Sequence, residues 1–144
     1  MLLVIRVLDG DSYKITAPFL PTPLGSTLTL RVAGIDTPEA GWRARCDREL
    51  HMASHARELV ELWFKQVAND YSVNLYKWDK YGGRVLGDIQ SNKKGIPSIS
   101  KYLIQNGCAV AYSGAGQRHD WCQYNNSHHT ATNTSKDSDY RTLL

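Results

Sequence analysis

Three short clusters place acidic and basic side chains at predicted turns of this 144-residue chain. They are Asp9-Gly10-Asp11, Arg31 with Asp36-Thr37-Pro38-Glu39, and Asp79-Lys80-Tyr81-Gly82-Gly83-Arg84. Each cluster alone has a plain structural interpretation, because Asp-Gly favours turns and neighbouring Lys and Asp residues commonly lie on a solvated face. Together they contain oxygen ligands for a divalent cation, a carboxylate to deprotonate water and two guanidinium groups for a phosphate. Together the three clusters therefore supply groups that can hydrolyse a phosphodiester.

The roles within the set follow from charge. A phosphodiester gains negative charge in its pentavalent transition state, so donors that bind more strongly at that stage accelerate the reaction. Arg31 and Arg84 suit this role because a planar guanidinium bonds two phosphate oxygens at once. A metal ion held by Asp11 and Asp36 would neutralise further charge and lower the pKa of a bound water. Glu39 then remains as the general base.

Five predicted strands carry these residues or lie beside them. The strands are β-branched or alternating runs bounded by turn residues, and they cover residues 2–7, 12–16, 27–32, 72–76 and 84–89. In the third strand, polar and apolar residues alternate with a period of two. This alternation directs Leu28, Leu30 and Val32 to the core and Arg31 to the opposite face.

Two helices are predicted from the spacing of apolar residues. Over residues 47–67 apolar side chains recur mostly at intervals of three and four, as in an amphipathic helix. A second helix is expected from about Ser98 to Gln105, ended by Asn106-Gly107, which tolerate the left-handed conformation. Residues 118–124 have room for at most two further helical turns. Because the strands are grouped, the order of elements indicates a small barrel or an α+β fold.

The composition describes one domain with an ordinary core. Hydrophobic residues make up 42% of the chain, which suffices without disulfide or metal scaffolding. The formal net charge of +3 permits an anionic partner, and residues 77–94 alone hold five basic and two acidic side chains. Residues 125–144 begin with a polar run that has little apolar surface to bury, so we expect an irregular tail after a domain of residues 1–124.

The cysteines and the first residues indicate the redox state and the cellular location to expect for the protein. Cys46, Cys108 and Cys122 are far apart and form no Cys-x-x-Cys pair, so we expect reduced thiols, while the sequence leaves open whether Cys46 and Cys122 approach each other. Residues 1–5 are apolar, but Arg6 and the acidic turn that follows leave no room for a signal-peptide cleavage site. Since no apolar run is long enough to span a bilayer, we expect a cytoplasmic protein without membrane contact.

The three clusters resemble those of the staphylococcal nuclease (thermonuclease) family, in the same order around a helix. The matching segments are 4–12, 30–39 and 79–84, with a weaker match over 103–112. Three motifs in order are highly specific. The resemblance implies an α+β, mainly β fold, in which a five-stranded Greek-key barrel of the oligonucleotide-binding (OB) type packs against two to three helices.

The resemblance also implies an activity, which is calcium-dependent hydrolysis of DNA and RNA that leaves 3′-phosphate ends. The expected partners are therefore DNA and RNA, with single strands favoured, and we expect a monomer without a protein partner. The family's calcium ligands match Asp11, Asp36 and Thr37, its catalytic residues match Arg31, Glu39 and Arg84, and its nucleotide-site residues match Lys80, Tyr81 and Tyr112.

One departure from the family concerns the loop before Arg84. The commoner form has a single glycine there, whereas this chain has Gly82-Gly83, so Arg84 fits with a one-residue insertion. A strand-like pattern resumes at once after Arg84, which favours it over other candidates. Nearby, Tyr76 and Trp78 are candidates either for stacking on bases or for ordinary buried positions in a strand.

Two other classes of function compete with the nuclease. A catalytically inactive nucleic-acid-binding domain on the same OB barrel is the main alternative, although interaction modules of this family usually lose the catalytic positions that are present here. A binder of peptides or modified protein tails would need an aromatic cage, and the sequence does not identify one.

Overall fold

A five-stranded mixed sheet and two helices form the framework of the computed structural model, which describes residues 2–21, 25–80 and 82–123. The expected tail at 125–144 lies outside these residues. Within the described part of the chain, no helix is long and apolar enough to cross a membrane. The elements are β1 (Val4–Asp9), β2 (Ser12–Thr16), β3 (Thr27–Val32), β4 (Ile35–Asp36), a 3₁₀ turn (Gly41–Arg43), α1 (Asp47–Val67), β5 (Tyr71–Trp78), β6 (Arg84–Ser91), α2 (Ile99–Gln105) and β7 (Val110–Ala111).

The sheet has the strand order β1-β2-β3-β6-β5, and the short strands β4 and β7 pair separately. All neighbours are antiparallel except β3 and β6, which are parallel. The predicted α+β class with five main strands is confirmed. The closed barrel is not formed, because β1 and β5 remain the edges of the sheet. Between these edges, the backbone amide of Val4 donates to the hydroxyl of Tyr71 at 3.0 Å.

The core lies between the sheet and α1. Leu28, Leu30 and Val32 are buried whereas Arg31 is partly exposed, as the alternation predicted. On α1 the apolar stripe is buried and includes Trp63, whose indole N–H donates to the Pro97 carbonyl at 2.9 Å. Each large apolar side chain buried in this way contributes about 1.5–3 kcal/mol. The sheet is thereby fixed against the helix, with its polar face turned outward.

The cysteine prediction was wrong for two of the three residues. Cys46 and Cys122 form a disulfide with their Cα atoms 6.0 Å apart, while Cys108 is free and buried. The partners are separated by 76 positions, and no local spacing reveals such a pair. Cys46 also caps α1, because its sulfur accepts from the Glu49 amide. Residues 118–120 have no regular secondary structure and residues 121–122 form a turn, so the short helix for which this segment had room is not formed.

Two glycines allow close approaches that position the sheet. At Gly10 a Cβ would lie 3.1 Å from the Cβ of Ala56 on α1, so the small residue lets the β1–β2 turn pack on the helix. At Gly87 a Cβ would overlap with the backbone carbonyl of Asn74, which belongs to the neighbouring strand β5. Glycine is therefore required where β5 and β6 pair.

We predict that Gly87→Ala lowers the free energy of unfolding by about 2–3 kcal/mol, since the added methyl collides with backbone that cannot move without disturbing the ladder. Urea denaturation followed by circular dichroism measures this loss. Gln90→Ala, at an exposed position of the same strand, serves as the control and should stay within about 0.5 kcal/mol. Equal stability of the two variants would contradict the close approach.

Candidate active site

Arg31 is held between the β1–β2 turn and β4. The pairing of β2 with β3 places Arg31 opposite Ser12, beside Asp11, and the Asp11 carbonyl accepts from the Val32 amide at 2.8 Å. The Arg31 guanidinium lies 3.6 Å from the Asp11 carboxylate and donates to the Ile35 carbonyl at 3.4 Å. Both charged side chains are largely buried, so the guanidinium points in a defined direction.

Asp36 on β4 has no exposed surface. Its Oδ1 accepts from Nε of Arg118 at 2.9 Å and from Nη2 of the same guanidinium, and its Oδ2 accepts from the indole N–H of Trp121 at 3.1 Å. A buried carboxylate is costly unless a counter-charge and hydrogen bonds accompany it. Arg118 and Trp121 provide both.

Arg118 brings together three of the residues predicted from the sequence. Besides Asp36, its guanidinium donates to Glu39 Oε1 at 2.7 Å and to the Thr37 carbonyl at 3.3 Å. Sequence reasoning gave Arg118 no role. It lies 79 positions from Glu39 and beyond the matched motifs, so no spacing could have identified it.

These oxygen atoms are also the donors that calcium prefers, namely carboxylates and a backbone carbonyl. Asp36, Thr37 and Glu39 direct them at one cationic group, so their chemistry fits a divalent cation, although in the structure the guanidinium of Arg118 takes that place. Asp11 pairs with Arg31 instead. Within the described residues, no group of three or more His, Cys, Asp or Glu side chains is arranged to hold a metal ion.

Glu49, in the first turn of α1, positions the loop that carries Glu39. Its buried carboxylate accepts from the Glu39 amide at 3.0 Å and from the Arg45 amide at 2.9 Å. A carboxylate near a helix N-terminus is also stabilised by the helix dipole. Sequence reasoning missed this role, because Glu49 looks like an ordinary acidic residue of a first helical turn.

Arg84 lies on the same outward face of the sheet as Arg31. In the parallel ladder Arg31 is opposite Leu86 and Thr29 is opposite Arg84, so the arginines occupy adjacent strands two positions apart. Arg84 pairs with the Asp79 carboxylate at 2.5 Å. Both glycines before Arg84 have positive φ, at 62° and 71°, which lets the loop absorb the one extra residue while Arg84 begins β6.

The residues predicted to bind nucleotide border another loop. The ammonium group of Lys80 donates to the Gly114 carbonyl at 3.2 Å, and the hydroxyl of Tyr112 donates to the Gly116 carbonyl at 3.1 Å. The two side chains therefore contact the same short segment. Tyr81 lies outside the described residues, so its predicted role keeps the status of a prediction.

The ionisation of Asp11 is unusual. Its pKa is raised from 3.8 to about 6, because burial raises it, the positive charge of Arg31 lowers it in part, and the negative charges of Glu39, Asp9 and Asp36 raise it. These last effects mean that Asp11 lies within electrostatic reach of the carboxylates around Arg118. Without a cation, part of the Asp11 population is protonated near neutral pH.

The fold and the site define a class of protein: an α+β domain whose outward face holds arginines paired with carboxylates, an arrangement suited to phosphates and cations. A family model described as "Staphylococcal nuclease homologue" matches residues 29–137, more than half of the chain. The chain therefore belongs to this family, and the predicted resemblance is confirmed. A search of curated proteins found no match. Membership indicates a nuclease or nucleic-acid-binding domain.

We predict that Asp11→Asn is more stable than the parent protein at pH 7, by up to about 3 kcal/mol, when a chelator is present. Because the folded-state pKa of Asp11 is raised, its protonated carboxyl stabilises the fold. This stabilisation is fully present below about pH 4 and is lost as the pH rises through 6. The difference between variant and parent should therefore vanish at pH 4.

Urea denaturation at a series of pH values between 4 and 7 tests this dependence. Glu61→Gln, which changes an exposed carboxylate on α1, is the control and should leave the pH dependence unchanged. Identical pH dependences of Asp11→Asn and the parent protein would show that burial does not raise the pKa of Asp11.

Proposed function

We propose that the protein is a calcium-dependent nuclease that hydrolyses phosphodiester bonds of DNA and RNA and leaves 3′-phosphate ends. The observation that carries the proposal is the convergence of the Asp36, Thr37 and Glu39 oxygens on one cationic group, beside the Asp11–Arg31 pair. Family membership supports a phosphodiester as the substrate. The arginines on the outward face support an anionic substrate.

In this function Asp11, Asp36 and the Thr37 carbonyl would hold calcium, which when bound neutralises charge on the phosphate and lowers the pKa of a coordinated water. Glu39 accepts the proton of the attacking water as its oxygen bonds to phosphorus. The bond from phosphorus to the 5′ oxygen breaks, that oxygen takes a proton from solvent water, and Glu39 afterwards releases its proton to solvent. Since the phosphate gains charge in this step, donors on its oxygens bind more tightly in the transition state.

Arg31 and Arg84 are those donors. Each is held by a carboxylate, Asp11 and Asp79 respectively, so its guanidinium is oriented before a phosphate arrives. A phosphate that binds has to share the guanidinium with that carboxylate or replace it. Because the arginines project from adjacent strands, the rigid sheet fixes their spacing.

One observation favours a second candidate, a catalytically inactive nucleic-acid-binding domain. Glu39, the proposed base, pairs with Arg118, and Arg31 and Arg84 pair with carboxylates. A domain with all of these pairs intact would still carry the basic excess of residues 77–94, which nucleic acid can attract. Catalysis requires that the pairs exchange for a cation and a phosphate.

We predict calcium-dependent cleavage of plasmid DNA or RNA that a chelator abolishes. Glu39→Gln and Arg84→Ala should each lower the rate by at least about a hundredfold, as the loss of a base or of a charge-stabilising donor does. Gel assays measure cleavage, and Glu61→Gln provides a matched control with an unchanged rate. Binding of both substrates without cleavage would support the inactive domain instead.

A groove beside the end of β5 supports a preference for single strands. It has a volume of about 290 Å³ and is lined by Phe19, Tyr76, Lys77 and Trp78, among others. The three aromatic side chains are more than half exposed. Trp78 pairs with Val85, which also lines the groove. Unpaired bases can stack on such side chains, whereas paired bases already stack within the duplex.

We predict that Trp78→Ala weakens binding of a single-stranded oligonucleotide by about tenfold, since stacking contributes about 1–3 kcal/mol per base. Binding of a duplex of the same length should change little. Fluorescence anisotropy in chelator, at fixed salt, measures both affinities without cleavage. Trp42→Ala, which removes an 89% exposed indole from the 3₁₀ turn, is the control. Equal losses for both substrates would contradict a stacking role.

A further inference from the structure

The segment of residues 118–122, here called the arginine segment, is fastened at several points. Cys122 is bonded to Cys46 at the start of α1, and the carbonyl of His119 accepts from the Arg45 side chain at 3.1 Å. Trp121 is buried and donates to Asp36. The backbone of Arg118 is therefore held close to the acceptors, so that pairing has to order the side chain but not the segment that carries it.

The acceptors of Arg118 are the atoms proposed to face calcium. Its guanidinium donates hydrogen bonds to Oδ1 of Asp36 and to the carbonyl oxygen of Thr37. It also donates to Oε1 of Glu39, the proposed base. Two positive groups cannot share these oxygens at close range without strong repulsion. Entry of a divalent cation therefore requires the guanidinium to leave.

Departure of the guanidinium is physically accessible. The Arg118 side chain is 39% exposed, so it can swing into solvent, whereas Asp36 has no exposed surface and must keep a counter-charge. Asp36 thus has a counter-charge only when one of the two cations is present. An exchange of cations satisfies this constraint, while simple loss of Arg118 does not.

We propose that Arg118 is an internal competitor for the divalent cation and that it determines the cation affinity and selectivity of the site. This inference rests on the proposed function, because it concerns the same cation site. A divalent cation gains entry since it brings twice the charge of the guanidinium. A monovalent cation brings no more charge than Arg118 and cannot replace its directed hydrogen bonds, so it is excluded.

The disulfide strengthens this competition. Cys122 lies four positions after Arg118, so the bond to Cys46 keeps the guanidinium close to the pocket even after it has been displaced. A tethered competitor acts at a high effective concentration. Reduction of the disulfide removes the tether and should therefore favour the divalent cation.

Isothermal titration of the full chain with calcium chloride, without nucleic acid, tests the proposal. Arg118→Gln should bind calcium at least about tenfold more tightly than the parent protein. Arg118→Lys, which keeps a competing charge, should lie closer to the parent. Arg57→Gln, an exposed position on α1, is the matched control and should leave the affinity unchanged. Sodium chloride at the same ionic strength should give no site-specific heat with the parent protein.

Reduction supplies a second measurement that does not depend on the folding of Arg118→Gln. The parent protein with its disulfide reduced, and Cys122→Ser, should both bind calcium several-fold more tightly than the oxidised protein. Unchanged affinities in these proteins and in Arg118→Gln would overturn the proposal. If the parent still cleaves nucleic acid with calcium, the proposed function stands alone; if no protein binds calcium and none cleaves, both proposals fail.

Discussion

A carboxylate with no exposed surface needs a counter-charge beside it, and Asp36 imposes this requirement on the whole site. The counter-charge comes from the chain that returns to the sheet after β7. There Arg118 and Trp121 donate hydrogen bonds to the two carboxylate oxygens of Asp36. The same return lets Cys122 bond to the start of α1, where Glu49 holds the loop of Glu39. The geometry of the loop, the helix start and the arginine segment thus depends on one buried negative charge.

The proposed chemistry is an exchange of partners among charges that are already paired. Asp11 holds Arg31, Asp79 holds Arg84, and Arg118 joins Asp36 to Glu39. Such pairs keep each group oriented in the absence of ligands, which reduces the reorganisation required when a ligand binds. They also account for the modest net charge of +3, because most of the charges in the site are compensated internally.

Local patterns predicted the framework well. The alternation in β3 placed Arg31 outward, and the apolar spacing gave the bounds of α1. Short motifs identified the family. They did not predict the hydrogen-bond and disulfide partners that complete the site. Arg118 reaches Asp36 across 82 positions and Cys46 reaches Cys122 across 76, and such long-range contacts leave no periodic signal. The open sheet was not predicted for the same reason, because closure into a barrel depends on whether β1 and β5, which are far apart in sequence, form a ladder.

The parallel pairing of β3 with β6 has a consequence for how the molecule forms. These strands are joined through α1 and β5, so their ladder requires closure of a long loop, which slows folding relative to local hairpins. The site needs still later residues, since Arg118 follows β7. During synthesis the arrangement around Asp36 cannot exist until nearly the whole described chain has emerged and folded back. A nascent or partly folded chain therefore lacks the completed site.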